Sequence, residues 1–406
     1  MSAHYMARIA AAALLLIPVT SMAADTAQVE QGRYLGIVGD CAACHTAPGG
    51  AAFAGGLSIQ TPFGTLISSN ITPDRDTGIG GMSDAQFLSA LHTGVGLAGH
   101  LYPAFPYPYF TKATDADVLA IHAWLNTLTP VSNEIKINQL PFPFSIRASM
   151  RVWNALNFTE GRFVPQAEKS EVWNRGAYLV EGLAHCGACH TAKNALGGDE
   201  QTSALQGGVL NQWLAPNLTG DTHLGIGDWS VAQIALYLQS GHNAITAATG
   251  PMADVVTNST SQMTEADRQA IATYLKDQPG QPVPYSPAPD AAVMQLGAMV
   301  YDQQCAACHT GHGTGIDGLA PAFAHAPSIQ ASDPINLVRA VLLGAASVAT
   351  DTAPTAAAMP AFGWKLSDQQ IAAVLSYIRA SWGNKAAPLD AGKVQALRDS
   401  LSAGTP

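Results

Sequence analysis

All six cysteines of this chain lie in three copies of one pentapeptide, and this constrains the chain more than its composition does. The copies are Cys41-Ala-Ala-Cys44-His45, Cys186-Gly-Ala-Cys189-His190 and Cys305-Ala-Ala-Cys308-His309. No cysteine is left over. Residues three apart lie on the same side of a helical turn. Each copy therefore offers two thiols and one imidazole to a single group.

Several kinds of chemistry use paired cysteines. An even number of cysteines is compatible with disulfides, and a lone Cys-x-x-Cys with a redox dithiol or half a zinc site. A zinc site needs a second pair or a His-x-x-x-His nearby, and the sequence has neither. Cys-x-x-Cys-His is the attachment signature of c-type haem, whose iron the histidine binds. The sequence thus predicts three covalently bound haem c groups with His45, His190 and His309 as proximal ligands.

The motifs begin at residues 41, 186 and 305 of 406, which suits three compact domains. An internal repeat supports this, since Asn70-Ile-Thr-Pro-Asp74 matches Asn217-Leu-Thr-Gly-Asp221. Residues 1–24 read as a signal peptide, with an apolar run at residues 9–19 before small residues. The predicted domains are 25–135, 173–280 and 291–385, with linkers at 136–172 and 281–290 and a tail at 386–406.

The local patterns of each domain are helical. A glycine and a tyrosine precede each motif, and we expect the glycine to let two helices cross closely while the tyrosine fills the crossing. Capping patterns follow each motif at Ser83-Asp-Ala-Gln86, Ser230-Val-Ala-Gln233 and Ser367-Asp-Gln-Gln370, and Thr114 and Thr264 are expected to open two further helices. Strand-like alternation is scarce, so the predicted class is all-α. In the third domain we expect Asp333 as N-cap and Pro334 at the first helical position. The glycine and tyrosine pairs are Gly32 and Tyr34, Gly176 and Tyr178, and Gly297 and Tyr301.

Two methionines are candidates for the distal iron ligand. A thioether favours reduced iron and raises the potential. Met252 in the second domain and Met359 in the third both lie in segments rich in Gly, Ala and Pro, ahead of the last helix. We predict that both side chains bind iron from loops.

The first domain has no methionine at the matching position. When Gly94 is aligned with Gly241, Phe105 falls opposite Met252, and phenylalanine cannot bind iron. The iron is then five-coordinate, or a shifted loop or a nearby side chain supplies the ligand. We favour an unusual or open first haem. The candidate substitutes are His100, His92 and Met82, of which Met82 aligns with Trp229 and is expected to pack beside the haem.

Charge and hydropathy limit the partners. The net charge of −10 argues against nucleic acid and weakens purely electrostatic docking to an anionic membrane. No segment after the leader reaches the ~18 apolar residues of a spanning helix. The linker at residues 140–158 is a candidate amphipathic helix for membrane contact, although we favour packing on a neighbouring haem domain. Its expected apolar side comprises Ile146, Met150, Val152, Trp153 and Leu156.

Beyond its haem motifs, the chain carries short segments typical of one family. It resembles the tri-haem cytochrome c subunits of membrane-associated periplasmic dehydrogenases, which serve alcohol, gluconate, fructose, sorbitol or aldehyde dehydrogenases. The resemblance covers the whole chain after the leader. It implies three tandem class I cytochrome c domains with Met252 and Met359 as distal ligands, and Phe105 departs from the alcohol dehydrogenase type. The segments are Leu101-Tyr-Pro-Ala, Trp173-Asn-Arg-Gly-Ala-Tyr-Leu-Val180, Leu205-Gln-Gly-Gly208 and Met359-Pro-Ala-Phe-Gly363.

The resemblance implies an electron relay. A catalytic subunit with pyrroloquinoline quinone, flavin or molybdenum supplies electrons, and ubiquinone, a terminal oxidase or another cytochrome accepts them. The expected location is the periplasm, with peripheral association at the inner membrane. The alternative is a peroxidase-like enzyme that uses the open first haem, with His92 or His100 as acid or base. A gas or redox sensor ranks lowest, because no output domain is visible.

Overall fold

The structure consists of three helical units, each built around one motif. It is a computed structural model and describes residues 20–136, 138–280, 286–324 and 326–403. The predicted signal peptide lies almost wholly outside the described residues, as does the first half of the predicted linker at 281–290. Between the helices, the strands of the described residues form only two-stranded hairpins. This architecture confirms the predicted all-α class.

Unit one has its motif between a long first helix and two later helices that close the unit. A short 3-10 turn, Arg147–Ser149, and helix α6 follow it in the linker. The helices are α1 (Thr20–Val38), α2 (Cys41–His45), α3 (Asp84–Thr93), α4 (Tyr107–Phe110), α5 (Asp115–Leu125) and α6 (Met150–Asn157). The hairpins pair β1 (Ser58–Thr61) with β2 (Gly64–Ile67) and β3 (Val95–Gly96) with β4 (Gly99–His100).

Unit two repeats this order with one hairpin. Its first helix runs into a π turn, Leu179–Leu183, before the motif. The helices are α7 (Glu171–Tyr178), α8 (Gly187–His190), α9 (Val231–Ser240), α10 (Pro251–Asn258) and α11 (Glu265–Lys276). The hairpin pairs β5 (Gly208–Leu210) with β6 (Trp213–Ala215).

Unit three has the same plan and adds a C-terminal helix. The helices are α12 (Ala291–Gln304), α13 (Ala306–His309), α14 (Pro327–Gln330), α15 (Ile335–Leu343), α16 (Asp368–Ala380) and α17 (Ala391–Ala403). The hairpin pairs β7 (Ala345–Ala346) with β8 (Ala358–Met359). In the tail, α17 packs on α16, where Val394 is fully buried and Arg398 bonds Asp368 at 2.8 Å.

In each unit the helix before the motif crosses the helix that closes the unit at a glycine. The pairs are α1 with α5, α7 with α11 and α12 with α16. A Cβ atom placed on the glycine would lie far inside van der Waals contact with a backbone oxygen of the partner helix. This confirms the expected close crossings. The distances are 1.8 Å from Gly32 to Ala120 O, 2.0 Å from Gly176 to Ala270 O and 2.3 Å from Gly297 to Ala373 O.

The tyrosines next to the first two glycines link units one and two. The Tyr34 hydroxyl donates to Asp267 Oδ2 of unit two at 2.6 Å, and the Tyr178 hydroxyl donates to Asp117 of unit one. The Tyr34 hydroxyl oxygen also accepts the backbone N–H of Thr264, the N-cap of α11. The Tyr178 hydroxyl oxygen accepts that of Thr114, the N-cap of α5. The expectation that these tyrosines fill their own crossings is therefore wrong. Their reciprocal bonds relate the two units by a pseudo-two-fold axis, and the two units share one core.

The predicted helix caps form with one exception. Both predicted capping boxes form, Ser83 with Gln86 and Ser230 with Gln233, and the predicted cap at Ser367 forms a third box with Gln370. Thr114 and Thr264 cap the last helices of units one and two. In unit three, α15 begins at Ile335, so Pro334 lies just outside the helix. Asp333 still accepts the Ile335 N–H at 3.0 Å. The Asp333 carboxylate therefore still accepts a backbone N–H of the first turn, although Asp333 lies one residue before the N-cap position.

Unit three is attached to unit two. Asn336 on α15 donates to the Leu214 carbonyl at 2.8 Å and accepts the Leu214 N–H at 3.0 Å. The Arg339 guanidinium lies 4.2 Å from the centre of the Trp213 ring. In the described part of the chain, no helix or strand of unit one packs extensively on unit three. Unit two therefore lies between unit one and unit three.

The linker packs on units one and two, in agreement with the favoured expectation. Met150 and Trp153 are buried against Tyr107, and Trp153 Nε1 donates to the Leu196 carbonyl at 2.8 Å. The prediction that these two side chains belong to a free apolar side is wrong, because α6 turns them inward. Among the described residues, no helix has the length and apolar character needed to cross a bilayer.

Candidate haem sites

Each motif folds as a single helical turn with free thiols. None of the six cysteines forms a disulfide. Burial raises the pKa of the Cys41 thiol to about 12 and that of the Cys305 thiol to about 11. Reactive dithiols and zinc ligands need the opposite shift, toward thiolate. The described residues also contain no group of three or more His, Cys, Asp and Glu placed to hold a metal ion. These observations disfavour the disulfide, redox and zinc interpretations.

Each motif histidine is oriented by a backbone carbonyl. The ring Nδ1–H donates to the carbonyl, which leaves Nε2 as the atom that can bind a metal. Burial lowers the pKa of all three imidazoles, so that each is held neutral, as iron ligation requires. The donor set thus fits haem iron. The bonds are His45 to Ser69 O at 2.7 Å, His190 to Pro216 O at 2.7 Å and His309 to Pro321 O at 3.1 Å.

The internal Asn repeat supplies the carbonyls in units one and two. Ser69 and Pro216 come directly before Asn70 and Asn217, the first residues of the two repeats. Each asparagine Oδ1 accepts the backbone N–H two residues further on, at 2.9 and 2.7 Å. This Asx turn fixes the chain beside the histidine. Sequence reasoning found the repeat but missed this role, and the repeat itself was the available signal.

Both candidate distal methionines are partly buried inside their units. Met252 is the second residue of α10, so the prediction that it lies in a loop is wrong, because Pro251 begins a helix there. Its side chain packs against the shared core and against a cluster with Val348 of unit three. Met359 lies in β8, paired with Ala345, so its predicted place in a loop is also wrong; its side chain packs on the core of unit three. Their role as iron ligands stays a prediction.

The local structure supports the alignment of Phe105 with Met252. Gly94 and Gly241 both end a helix in the left-handed conformation, with φ of 65° and 74°. In each case the residue seven positions later donates its N–H to the glycine carbonyl, at 2.7 and 2.6 Å. The Phe105 ring is partly buried and lies 5.3 Å from that of Phe110, edge to face. An aromatic pair thus stands where unit two has a thioether.

The candidate substitute ligands contact other groups. His92 is 2% exposed, its Nδ1 lies 3.6 Å from Asp115, and burial lowers its pKa to about 4. His100 Nε2 accepts from Arg151 at 3.2 Å, on the linker side. Met82 packs on the core that units one and two share, and its place beside the haem stays a prediction. An open first haem stays a prediction. Because His92 Nε2 and His100 Nδ1 are both buried without a hydrogen-bond partner, these two histidines are the substitutes that an experiment must exclude.

Carbon monoxide tests the first site. We expect the reduced protein to bind carbon monoxide at about one haem per chain, because only an iron without a strong sixth ligand accepts it readily. The measurement is the shift of the haem absorption band during titration. Phe105→Met should abolish the shift, and Met252→Ala should open a second haem. Wild-type protein without any shift would mean that all its irons are six-coordinate, and His92→Ala would then identify a histidine ligand.

The units and their sites together define a c-type cytochrome. The model of the Cytochrome c family matches residues 174–279 and 294–382, which hold the second and third motifs. The gluconate 2-dehydrogenase cytochrome c subunit of Pantoea cypripedii is 41% identical over 92% of this chain and 90% of its own length. The alcohol dehydrogenase (quinone) cytochrome c subunit of Komagataeibacter europaeus is 39% identical, over 96% and 89%.

A third relative extends this pattern. The fructose dehydrogenase cytochrome subunit of Gluconobacter japonicus is 37% identical over 93% of this chain and 84% of its own length. The chain therefore belongs to the family of cytochrome c subunits of dehydrogenases. This confirms the resemblance drawn from the motifs, and family membership implies covalently bound haem c.

Proposed function

We propose that this chain carries three haem c groups and relays electrons from a dehydrogenase catalytic subunit to ubiquinone or another respiratory acceptor. Haem iron supplies one-electron chemistry when bound. The observation that carries the proposal is the threefold recurrence of a carbonyl-oriented histidine directly after a free thiol pair. The relatives named above serve gluconate, alcohol and fructose dehydrogenases. A substrate of the alcohol or sugar type is therefore favoured.

The proposed haem domains are 25–135, 173–280 and 291–385. In each, the two cysteines hold the haem through thioethers and the motif histidine binds iron. Met252 and Met359 complete the second and third sites, where a thioether raises the potential. Phe105 leaves the first site open, so its potential is expected to differ from the other two. The cofactor of the catalytic subunit is pyrroloquinoline quinone, flavin or molybdenum.

The contacts between units support a linear relay. The first two motifs meet where His185 Nε2 donates to the Gly39 carbonyl at 3.3 Å, and Cys44 lies near enough to Cys189 for an electrostatic interaction. Unit three meets unit two on the other side, where Val348 packs in the cluster that contacts Met252. Electrons that travel between the first and third sites therefore cross the second.

The proposed location is the periplasm, at the face of the inner membrane. The predicted leader at residues 1–24 would export the chain. A quinone acceptor, as the name of the alcohol dehydrogenase (quinone) relative indicates for that protein, would lie in the membrane. The chain would therefore work as a peripheral protein beside the bilayer.

Mass spectrometry and substrate-driven reduction test the proposal. The mature polypeptide from cells able to attach haem should carry three porphyrin increments, because all three thiol pairs are free and each has an oriented histidine. The haem bands of its native complex should then become reduced when the dehydrogenase substrate is added. A mass without the three increments would refute the haem count. Haems that stay oxidised with every alcohol, sugar and aldehyde substrate would refute the relay.

The peroxidase alternative gains no support, since the relatives above are dehydrogenase subunits. Peroxide turnover by the purified chain would revive it.

A further inference from the structure

Five large apolar side chains of the linker face solvent close together in sequence. They lie in the segment that precedes α6 and on the outer side of α6 itself. We call this surface the apolar strip. It comprises Phe142, Phe144, Ile146, Val152 and Leu156, which are 81%, 37%, 46%, 65% and 66% exposed. Soluble proteins rarely leave such side chains clustered in water without a partner.

The exposure of the strip is built into the fold. Met150 and Trp153 point inward from α6, which leaves Val152 and Leu156 on its outer side. The Phe144 carbonyl accepts the Tyr102 hydroxyl at 3.0 Å, and the Phe144 ring lies 5.0 Å from that of Phe63. These contacts hold the backbone of the segment against unit one, while its apolar side chains remain exposed to solvent.

The linker sequence between Glu134 and Glu160 has the opposite charge to the whole chain. Residues 135–159 contain Lys136, Arg147 and Arg151 and no acidic residue, although the net charge of the chain is −10. Arg147 donates to the His100 carbonyl at 3.0 Å and lies over the Tyr102 ring. Arg151 is exposed beside Val152. Apolar side chains bordered by cations match the interface of an anionic bilayer.

We propose that the apolar strip docks this protein on anionic phospholipid. The strip inserts Phe142, Val152 and Leu156 at the acyl boundary while Arg151 meets the lipid phosphates. This inference rests on the proposed membrane association and names its surface. It also differs from the sequence expectation, because the inserting residues are the outward ones and exclude Met150 and Trp153.

Vesicle sedimentation of the haem-loaded chain tests the strip. The probe is vesicles of phosphatidylethanolamine and phosphatidylglycerol, compared with vesicles of phosphatidylcholine alone. The variant F142S/V152S/L156S should lower the partition coefficient by about 100-fold or more, because burial of each side chain is worth roughly a factor of ten. The control V209S/L236S/M299S removes three apolar side chains of units two and three that are 49%, 45% and 51% exposed, and it should bind like wild type.

A second variant, Arg151→Gln, tests the contribution of the positive charge to vesicle binding. This variant should lose about fivefold in binding to phosphatidylglycerol vesicles and almost nothing on phosphatidylcholine, since one surface cation contributes that much on an anionic bilayer. Unchanged sedimentation of the strip variant would overturn the proposal. So would a strip variant that binds vesicles normally but no longer co-purifies with its dehydrogenase, because the strip would then be a subunit interface. Haem reduction by substrate is measured separately and tests the relay alone.

Discussion

Removal of the haem of unit two should disconnect the first haem from the third. In the variant C186A/C189A, we expect electron exchange between the terminal haems to slow by several orders of magnitude. Electron tunnelling falls steeply with distance, and unit two lies between the other two in the fold. Flash reduction followed by absorption spectroscopy measures the exchange. With the proposed open first site and Met359 as the proposed ligand of the third, the two terminal haems should have distinguishable spectra.

The matched control removes a terminal haem instead. The variant C41A/C44A leaves the second and third sites in contact, so exchange between them should stay at the wild-type rate. Mass spectrometry must show one haem fewer in each variant, and circular dichroism must show that both remain helical. Fast exchange in C186A/C189A that does not depend on protein concentration would contradict the linear order. It would mean that the first and third haems approach each other directly.

Features set by neighbouring residues could be predicted from the sequence. A capping box needs only a serine and a glutamine three residues apart, and Ser83 with Gln86 forms one as expected. The glycine crossings were also predictable, because Gly32, Gly176 and Gly297 recur nine, ten and eight residues before the first cysteine of their motifs. The haem motif belongs to this group, since the chemistry of attachment is contained in five residues.

Features set by distant parts of the chain could not be predicted. The helical period of α6 tells which residues share a side, but the burial of Trp153 depends on where Tyr107 lies. The partner of Tyr34 is an aspartate more than two hundred residues away. The carbonyls that orient the motif histidines are backbone atoms, which carry no residue signature. Only the fold reveals that the Asn repeat places two of them.

The crossing of α7 and α11 carries the second prediction. At Gly176 an added Cβ would lie 2.0 Å from Ala270 O and 2.8 Å from Tyr274 Cβ, and no side-chain rotation relieves contact with a backbone oxygen. The helices must therefore move apart. Their separation would weaken the edge-to-face pair of Trp173 and Tyr274, whose ring centres lie 5.0 Å apart. It would also strain the bonds from Arg175 to Asp267 at 2.7 and 2.8 Å.

We therefore expect Gly176→Ala to lower the free energy of unfolding by about 3 kcal/mol, in the upper range for overpacked cores. Alanine alone would favour the helix by about 1 kcal/mol, so the sign of the change separates crowding from helix propensity. The control is Gly161→Ala, where the added Cβ has no atom within 4 Å. Its unfolding free energy should stay within about 0.5 kcal/mol of wild type. Denaturant unfolding of the haem-loaded proteins gives both values, and a stabilised Gly176→Ala would show that these helices do not meet at backbone distance.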